Sequence, residues 1–438
     1  MKIKSLRIPD NDYEFTVRSL HRPGSLGKLL TMLGTLNAVV GEISTVSIGE
    51  THSIRKITIA VYDEAHLKEV EEGIRMSETA ELISRNDLVF ERHRNGKIHS
   101  GRKEDVKTIA DLRYIYTPGV ARICKEIIAD KTRANDLTSI GNSVGIFTNG
   151  TRVLGLGNIG PVASMPVMEG KAIIYDQCIG LSAVPVLVDA EDPDEFIEAV
   201  VKVAPTFGGI HLEDIRAPDC FYIEDELNRR LEQPVMHDDQ HGTATVAAAA
   251  VISALRLTGI EFAKPLKVSQ IGLGAAGFAI ASLLLDWGAE VTGVDPNENA
   301  QQMLLKKGGK VAGLEDAMKT AQVVISTTGA VGLIKPEMIQ QDQIILALSN
   351  PQPEIAPEDA KAAGAIFAAD GTTINNALAF PGLFKGAMNA GAQAITSKMK
   401  LAAAEAISLA ADKNELVPSP LDLSVHQKVA EAVEKVAR

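Results

Sequence analysis

The run Gly272-Leu-Gly-Ala-Ala-Gly277 constrains this chain more than any other feature, because of what stands on either side of it. LKVSQIGLG ahead of it reads as a buried strand, and AAGFAIASLLLDWGA behind it reads as an unbroken helix. AEVTGVD then gives the next strand, closing on Asp295, which lies 21 residues after Gly274. A dinucleotide site needs this order. The glycines let the backbone approach a pyrophosphate resting on the helix N-terminus, and the acid reaches a ribose 2′-hydroxyl. The expected cofactor residues are therefore Gly272, Gly274, Ala275, Ala276, Gly277 and Asp295. Asp295 is followed by Pro296 and Asn297, with no Arg or Lys to take a 2′-phosphate. NAD is expected, with NADP left open.

A second match, Gly155-Leu-Gly-Asn-Ile-Gly160, lacks the context. Pro161 and Pro166 are expected to interrupt any helix after it, and no strand-end acid follows at the right distance. It reads as a loop lining a different pocket. Further on, TAQVVISTTGA and DQIILALSNPQPE read as two more buried strands, the second closing on Asn350-Pro351. Their ends face the nicotinamide half of the ligand in a doubly wound sheet.

The first ninety residues form a separate unit. YEFTVRSL (13–20), AVVGEISTVSI, KITIAVYD (56–63) and ISRNDLVFER read as strands. HRPGSLGKLLTMLGTL, with a turn at Pro23-Gly24 and Ser25 as N-cap, and DEAHLKEVEEGIRM read as helices. The order is βαββαβ, the ferredoxin-like arrangement. The order and the RPGSLGKLL segment resemble an ACT domain, which implies a small-molecule effector or a subunit contact. HRNGKIHSGRKEDV (93–106) reads as a polar linker.

Lys and Arg total 44 against 56 Asp and Glu, a net charge of −12, which argues against a nucleic-acid partner. The cysteines Cys124, Cys178 and Cys220 lack metal spacing and read as reduced thiols. No signal-peptide run opens the chain, and ATVAAAAVISAL (244–255) is too short to span a membrane. A cytoplasmic protein is expected.

Between the two outer units lie acidic pairs that a binding fold alone does not need. HLEDI (211–215) sets Glu213 beside Asp214, and HDDQHGTAT (237–245) sets Asp238 beside Asp239. Adjacent carboxylates repel, so two pairs beside apolar segments point either to solvated surface or to a divalent cation, Mg²⁺ or Mn²⁺ rather than zinc. His237 and His241 read as capping or packing residues. Lys171 precedes a strand-like apolar run, where a lysine is a snorkelling surface residue or, if enclosed, a base. Tyr116 precedes Pro118-Gly119, a turn able to fix its ring.

Taken in order, YTPGVA (116–121), NGTRVLGLGNIGP, MPVMEGKA, HLEDI, HDDQHGTA, IGLGAAG, LSNPQPE and NNALAFPG (375–382) resemble the malic enzymes of the smaller bacterial type. The resemblance implies NAD-linked oxidative decarboxylation of malate to pyruvate with Mg²⁺ or Mn²⁺. It implies Tyr116 as general acid, Lys171 as general base, and Glu213, Asp214 and Asp239 as metal ligands. Asp238 joins the catalytic group as their support. Arg152, Asn350 and Asn376 would hold the substrate carboxylates, with Asn350 also beside the cofactor. A homodimer or homotetramer is implied as well. One departure is local: where the family has Ala-Gly-Ile-Asp-Ala-Phe this chain has Ile179-Gly180-Leu181-Ser182-Ala183-Val184, so Ser182 replaces an Asp of the expected pocket wall.

The fold class expected is α/β: a Rossmann-type doubly wound parallel sheet (238–375) and an α/β substrate domain (93–237). An N-terminal α+β ACT-like domain (1–92) precedes them, and C-terminal helices (376–438) fold back on the substrate domain. Two other functions remain open on the residues alone: a 2-hydroxyacid dehydrogenase that does not decarboxylate, and a nucleotide-binding metabolite sensor without turnover.

Overall fold

A computed structural model describes residues 9, 11–153, 155–259 and 265–438. Two compact units result, and the division falls between His99 and Ser100 rather than after residue 92.

The first unit runs β1 (Asn11–Leu20), α1 (Ser25–Thr35), β2 (Val39–Ile48), β3 (His52–Val61), α2 (Glu64–Arg75), β4 (Ala80–Asp87) and α3 (Leu88–His93). Its antiparallel sheet has the order β2-β3-β1-β4, which is the ferredoxin-like arrangement. Alternate residues of β1 (Tyr13, Phe15, Val17) point inward and meet Leu29 and Leu33 of α1 and Leu67, Val70 and Ile74 of α2. Two local expectations are corrected. Gly24, with φ 84°, caps α1, and Ser25 is its first residue, because the Pro23-Gly24 turn needs a left-handed backbone. The last strand ends at Asp87, whose carboxylate accepts the N–H groups of Val89 and Phe90 and starts a helix where DLVFER was read as strand.

In the second unit α4 (Ile109–Ile115), α5 (Val120–Ala129) and a short α6 (Ala134–Leu137) come first. Next are β5 (Ser143–Thr148), α7 (Gly160–Ile179), β6 (Ser182–Leu187), α8 (Pro193–Val203), β7 (Gly209–Leu212), α9 (Asp219–Arg230) and β8 (Val235–His237). These strands form a parallel sheet of order β6-β5-β7-β8. Helix α7 corrects the reading of the first glycine match. Pro161 lies in the first turn, where its missing N–H costs nothing, and Pro166 is absorbed inside a helix of 20 residues. Lys171 is therefore helical, and the apolar run beside it continues the helix to Ile179 rather than forming a strand.

Helix α10 (Asp238–Thr258) leads to β9 (Lys267–Ile271), α11 (Ala275–Asp286), β10 (Glu290–Val294), α12 (Glu298–Lys307), β11 (Lys310–Val311), α13 (Leu314–Thr320), β12 (Val323–Ser326), β13 (Ile344–Ala347), α14 (Pro357–Ala362) and β14 (Phe367–Asp370). All six strands are parallel, in the order β11-β10-β9-β12-β13-β14. The chain reverses direction across this sheet between β9 and β12. In an open α/β sheet the ligand crevice lies at that point, beyond the strands' C-terminal ends.

Three helices close the chain: α15 (Phe380–Asn389), α16 (Ser397–Ala410) and α17 (Leu423–Ala437). Both α15 and α17 touch α7, and α16 lies along α10. An added Cβ at Gly382 or Gly386 would fall 2.5 Å from Val429 Cγ1 or the Ala430 carbonyl oxygen, so glycine lets α15 and α17 meet. No helix among the described residues is long and apolar enough to cross a membrane.

Candidate active site

The glycine run shapes a crevice at the switch point between β9 and β12. Gly272 (φ 87°) turns the chain out of β9 onto Thr327, where an added Cβ would fall 2.9 Å from the Thr327 carbonyl oxygen. At Gly277 an added Cβ would lie 2.0 Å from the Gly272 carbonyl oxygen, so helix and strand meet only through glycine. At Gly274, by contrast, it would project into open space, the side from which a pyrophosphate can approach. Ala275 and Ala276 open α11. A cavity of about 930 Å³ lies in front, lined by Gly272, Gly274, Asp295, Thr327, Thr328 and Arg152 among others. Asp295 closes β10, and its carboxylate takes the N–H groups of Leu273 (2.6 Å) and Asn297 (2.8 Å). That fixes its carboxylate at the crevice rim.

A second cluster forms where β7 and β8 end. Glu213, Asp214 and Asp239 each offer a carboxylate oxygen within 4.8 Å of the others. Asp214 adopts a left-handed backbone, φ 55°, which aspartate tolerates better than most residues. Its N–H donates to Asp239 Oδ2 (3.1 Å), and its carbonyl receives the Arg152 N–H (3.1 Å). Burial raises the pKa of Glu213 to about 7, partly opposed by Lys171. Burial, then the charges of Glu213 and Asp239, raise Asp214 to about 8. Asp214 Oδ2 and Asp238 Oδ1 are buried without a hydrogen-bond partner, as are both ring nitrogens of His237. Three crowded carboxylates, two of them resisting ionisation and one with an orphaned buried oxygen, fit a divalent cation of the Mg²⁺ or Mn²⁺ kind.

Lys171 is buried beside this cluster, 8% exposed. Its ammonium bonds Asp238, lies 3.2 Å from Glu213 Oε1, and sits over the Phe380 ring at 4.6 Å. Burial pulls its pKa down, but Asp238 and Glu213 outweigh that and hold it above the usual lysine value. Asp238 is the first residue of α10 and has no exposed surface; Gly242, one turn on, makes room for its carboxylate. The turn Asn376–Leu378 rests on α10, bringing Asn376 next to Asp238. Asn350 follows β13 and donates to the Gly371 carbonyl at 3.2 Å.

Two expectations fall outside this constellation. Tyr116 is 65% exposed at the end of α4 and is not gathered to the carboxylates. Ser182 pairs with Ser143 at the start of the sheet, whereas Leu187 pairs with Thr148 at the end where the cluster lies, so Ser182 does not wall the pocket. Three residues that bear on the site carried no sequence signal of their own. Glu224 accepts from the His237 N–H, Gln240 and His241. His211 bonds Glu213, and Tyr175 bonds His211.

A sequence model of the malic enzyme N-terminal domain matches residues 96–228. The chain is 48% identical over 418 residues to NAD-dependent malic enzyme 1 of Bacillus subtilis, covering 95% of each chain. It belongs to the malic enzyme family. It is also 37% identical over 439 residues to the NAD-dependent malic enzyme of Geobacillus stearothermophilus, covering 94% of this chain and 91% of that one. Among solved structures, the malic enzyme of Pyrococcus horikoshii superposes with a TM-score of 0.75 at 39% identity, over 80% of this chain and 89% of that one. Within a malic enzyme, a dinucleotide crevice and a carboxylate cluster bridged by Arg152 are the two halves that hydride transfer from malate requires.

Proposed function

We propose that this chain catalyses the NAD-dependent oxidative decarboxylation of malate to pyruvate and CO₂. One observation carries the reading: a buried lysine bonded to Asp238, beside three crowded carboxylates, next to a dinucleotide crevice. Glu213, Asp214 and Asp239 would hold Mg²⁺ or Mn²⁺, which supplies Lewis acidity toward the C2 oxygen of malate. Arg152, Asn350 and Asn376 bind the substrate carboxylates. Lys171, once its own proton has passed to Asp238, would take the C2 hydroxyl proton, and NAD held in the crevice would supply the hydride acceptor for C2. The C3–C4 bond then breaks, CO₂ departs, and its electron pair stays on the enolate. Tyr116 returns a proton to C3. Asp295 would accept the ribose 2′-hydroxyl and disfavour a 2′-phosphate.

In the first unit, the cavity of about 340 Å³ beside Arg22, Gly24, Gly27 and Arg55 supports an ACT-like unit that binds a small effector. The second unit supports a homo-oligomer. No residue of α4 or α5 is buried, yet Ile109, Leu112, Ile115 and Ile123 are apolar and exposed. A second copy seated there would enclose Tyr116.

The test follows NADH formation with malate, Mn²⁺ and NAD⁺ or NADP⁺, for wild type and Lys171→Ala. Turnover matched by pyruvate, faster with NAD⁺, lost in the variant and lost on chelation, is the expected result. Folded protein that binds NAD but turns over neither cofactor would overturn the proposal.

A further inference from the structure

Behind the carboxylates lies a polar chain that the reaction as written does not use. Lys171 and Tyr175 stand one turn apart on α7, both buried. Tyr175 Oη is 2.8 Å from His211 Nδ1, and His211 Nε2 is 2.7 Å from Glu213 Oε2. The other oxygen of Glu213 faces Lys171. Every member of this chain is buried.

The hydrogens follow from what each group can do. Beside the Lys171 ammonium Glu213 is held as a carboxylate, which only accepts, so His211 Nε2 carries the ring hydrogen and donates it to Glu213. Nδ1 is then the acceptor, and the Tyr175 O–H must donate. Phe384 stacks on the imidazole at 5.7 Å and Phe380 meets it edge-on at 5.4 Å, so the ring has little freedom to turn. His211, Glu213 and Asp238 also come within ligand distance of one another. That triad is already filled by the Lys171 ammonium, and Nε2 has no lone pair to offer a metal while it donates.

We infer that Tyr175 and His211 are positioning residues, a two-bond relay that aims Glu213 and thereby sets the metal affinity of the site. The inference rests on the reading above that Glu213, Asp214 and Asp239 hold the cation. Partners that orient a metal ligand typically change affinity 10- to 100-fold when removed. The relay also accounts for a polar chain that would otherwise be a costly thing to bury.

The experiment titrates the full-length protein with Mn²⁺ and reads free Mn²⁺ by electron paramagnetic resonance, without substrate. His211→Phe keeps a ring but no nitrogen, and is expected to weaken Mn²⁺ binding roughly 10- to 100-fold. Tyr175→Phe, which removes one oxygen, is expected to weaken it roughly 3- to 10-fold. His211→Gln can accept from Tyr175 and donate to Glu213, and should restore binding to within about threefold of wild type. Asp214→Asn, outside the relay, is the control, and near-native thermal melts qualify each variant. If Asp214→Asn abolishes binding while both His211→Phe and Tyr175→Phe bind as wild type, the relay is wrong and the cation site stands. If Asp214→Asn also binds as wild type, the cation site itself is wrong. Loss in His211→Gln equal to that in His211→Phe would likewise overturn the relay.

Discussion

Gly242 shows how one absent methyl group can hold a site together. It lies inside α10, where alanine would favour the helix by about 1 kcal/mol. Yet a Cβ there would fall 1.8 Å from Asp238 Oδ1, inside a fully buried carboxylate. Gly242→Ala should therefore push Asp238 away from Lys171. The expected cost is about 1–3 kcal/mol of stability despite the better helix former. A fall in kcat of roughly tenfold or more should accompany it, since the base loses its partner. Thermal melts and steady-state kinetics check this; unchanged values for both would mean that Asp238 does not need the space. At Asp295, replacement by Ser removes a charged acceptor and should raise KM for NAD⁺ roughly tenfold or more while leaving kcat for bound substrate nearly intact. The paired acids and the glycine fingerprint were legible in the sequence because adjacency itself carries their meaning. Lys171 was legible only through the family resemblance and Tyr175 not at all: their partners Asp238 and His211 lie 67 and 36 residues away, and burial decides whether such a lysine is a base or a surface residue.

Among the elements, α7 explains why a helix went unread. Its buried positions are Ser164, Met168, Glu169, Lys171, Ala172 and Tyr175, a regular helical stripe. Most are polar, because this face looks into the chemistry rather than a core, so no apolar period betrays the helix. The Rossmann strands, flanked by apolar helices, were legible for the opposite reason. A second device ties α9, α10 and α16 together. Glu224 of α9 accepts from the His237 N–H (2.8 Å), Gln240 (3.1 Å) and His241 Nε2 (3.0 Å), and Lys400 of α16 bonds the other ring nitrogen of His241, Nδ1, at 3.0 Å. Burial alone would raise the Glu224 carboxyl, but His241 and the neighbouring donors hold it below its usual value. A depressed carboxylate stabilises the fold above the unfolded pKa of about 4.3 and loses that stabilisation as pH falls through the folded value. Glu224→Gln should cost about 2–3 kcal/mol near neutral pH. The gap to wild type should narrow only as pH falls through that depressed folded value, below which both carry a neutral side chain. Denaturant melts on either side of that value test this; a gap that does not change would show that the charge is not what the donors recognise.

For the whole molecule, the proposed role of Tyr116 turns on the exposed face that carries it. Along α4 and α5, Ile109, Leu112, Tyr114, Ile115, Tyr116, Ile123 and Ile128 are all exposed, and no residue of either helix is buried. An apolar face of that length is unusual on a solitary soluble surface and is ordinary at a contact between copies. If a second copy covers it, Tyr116 becomes enclosed and the proton donor acquires the dry surroundings that proton transfer to carbon needs. Leu112→Asp together with Ile123→Asp places charges on the face without touching Lys171 or the carboxylates. These changes should shift the protein to a smaller species in sedimentation and lower kcat roughly 10- to 100-fold. NAD and Mn²⁺ binding, which depend on the crevice and the cluster, should change less than threefold, roughly the scatter of such measurements. Tyr116→Phe should lose kcat to a similar degree while keeping the wild-type sedimentation. That contrast separates loss of the donor from loss of the contact. A dissociated double variant with full kcat would leave Tyr116 without its role.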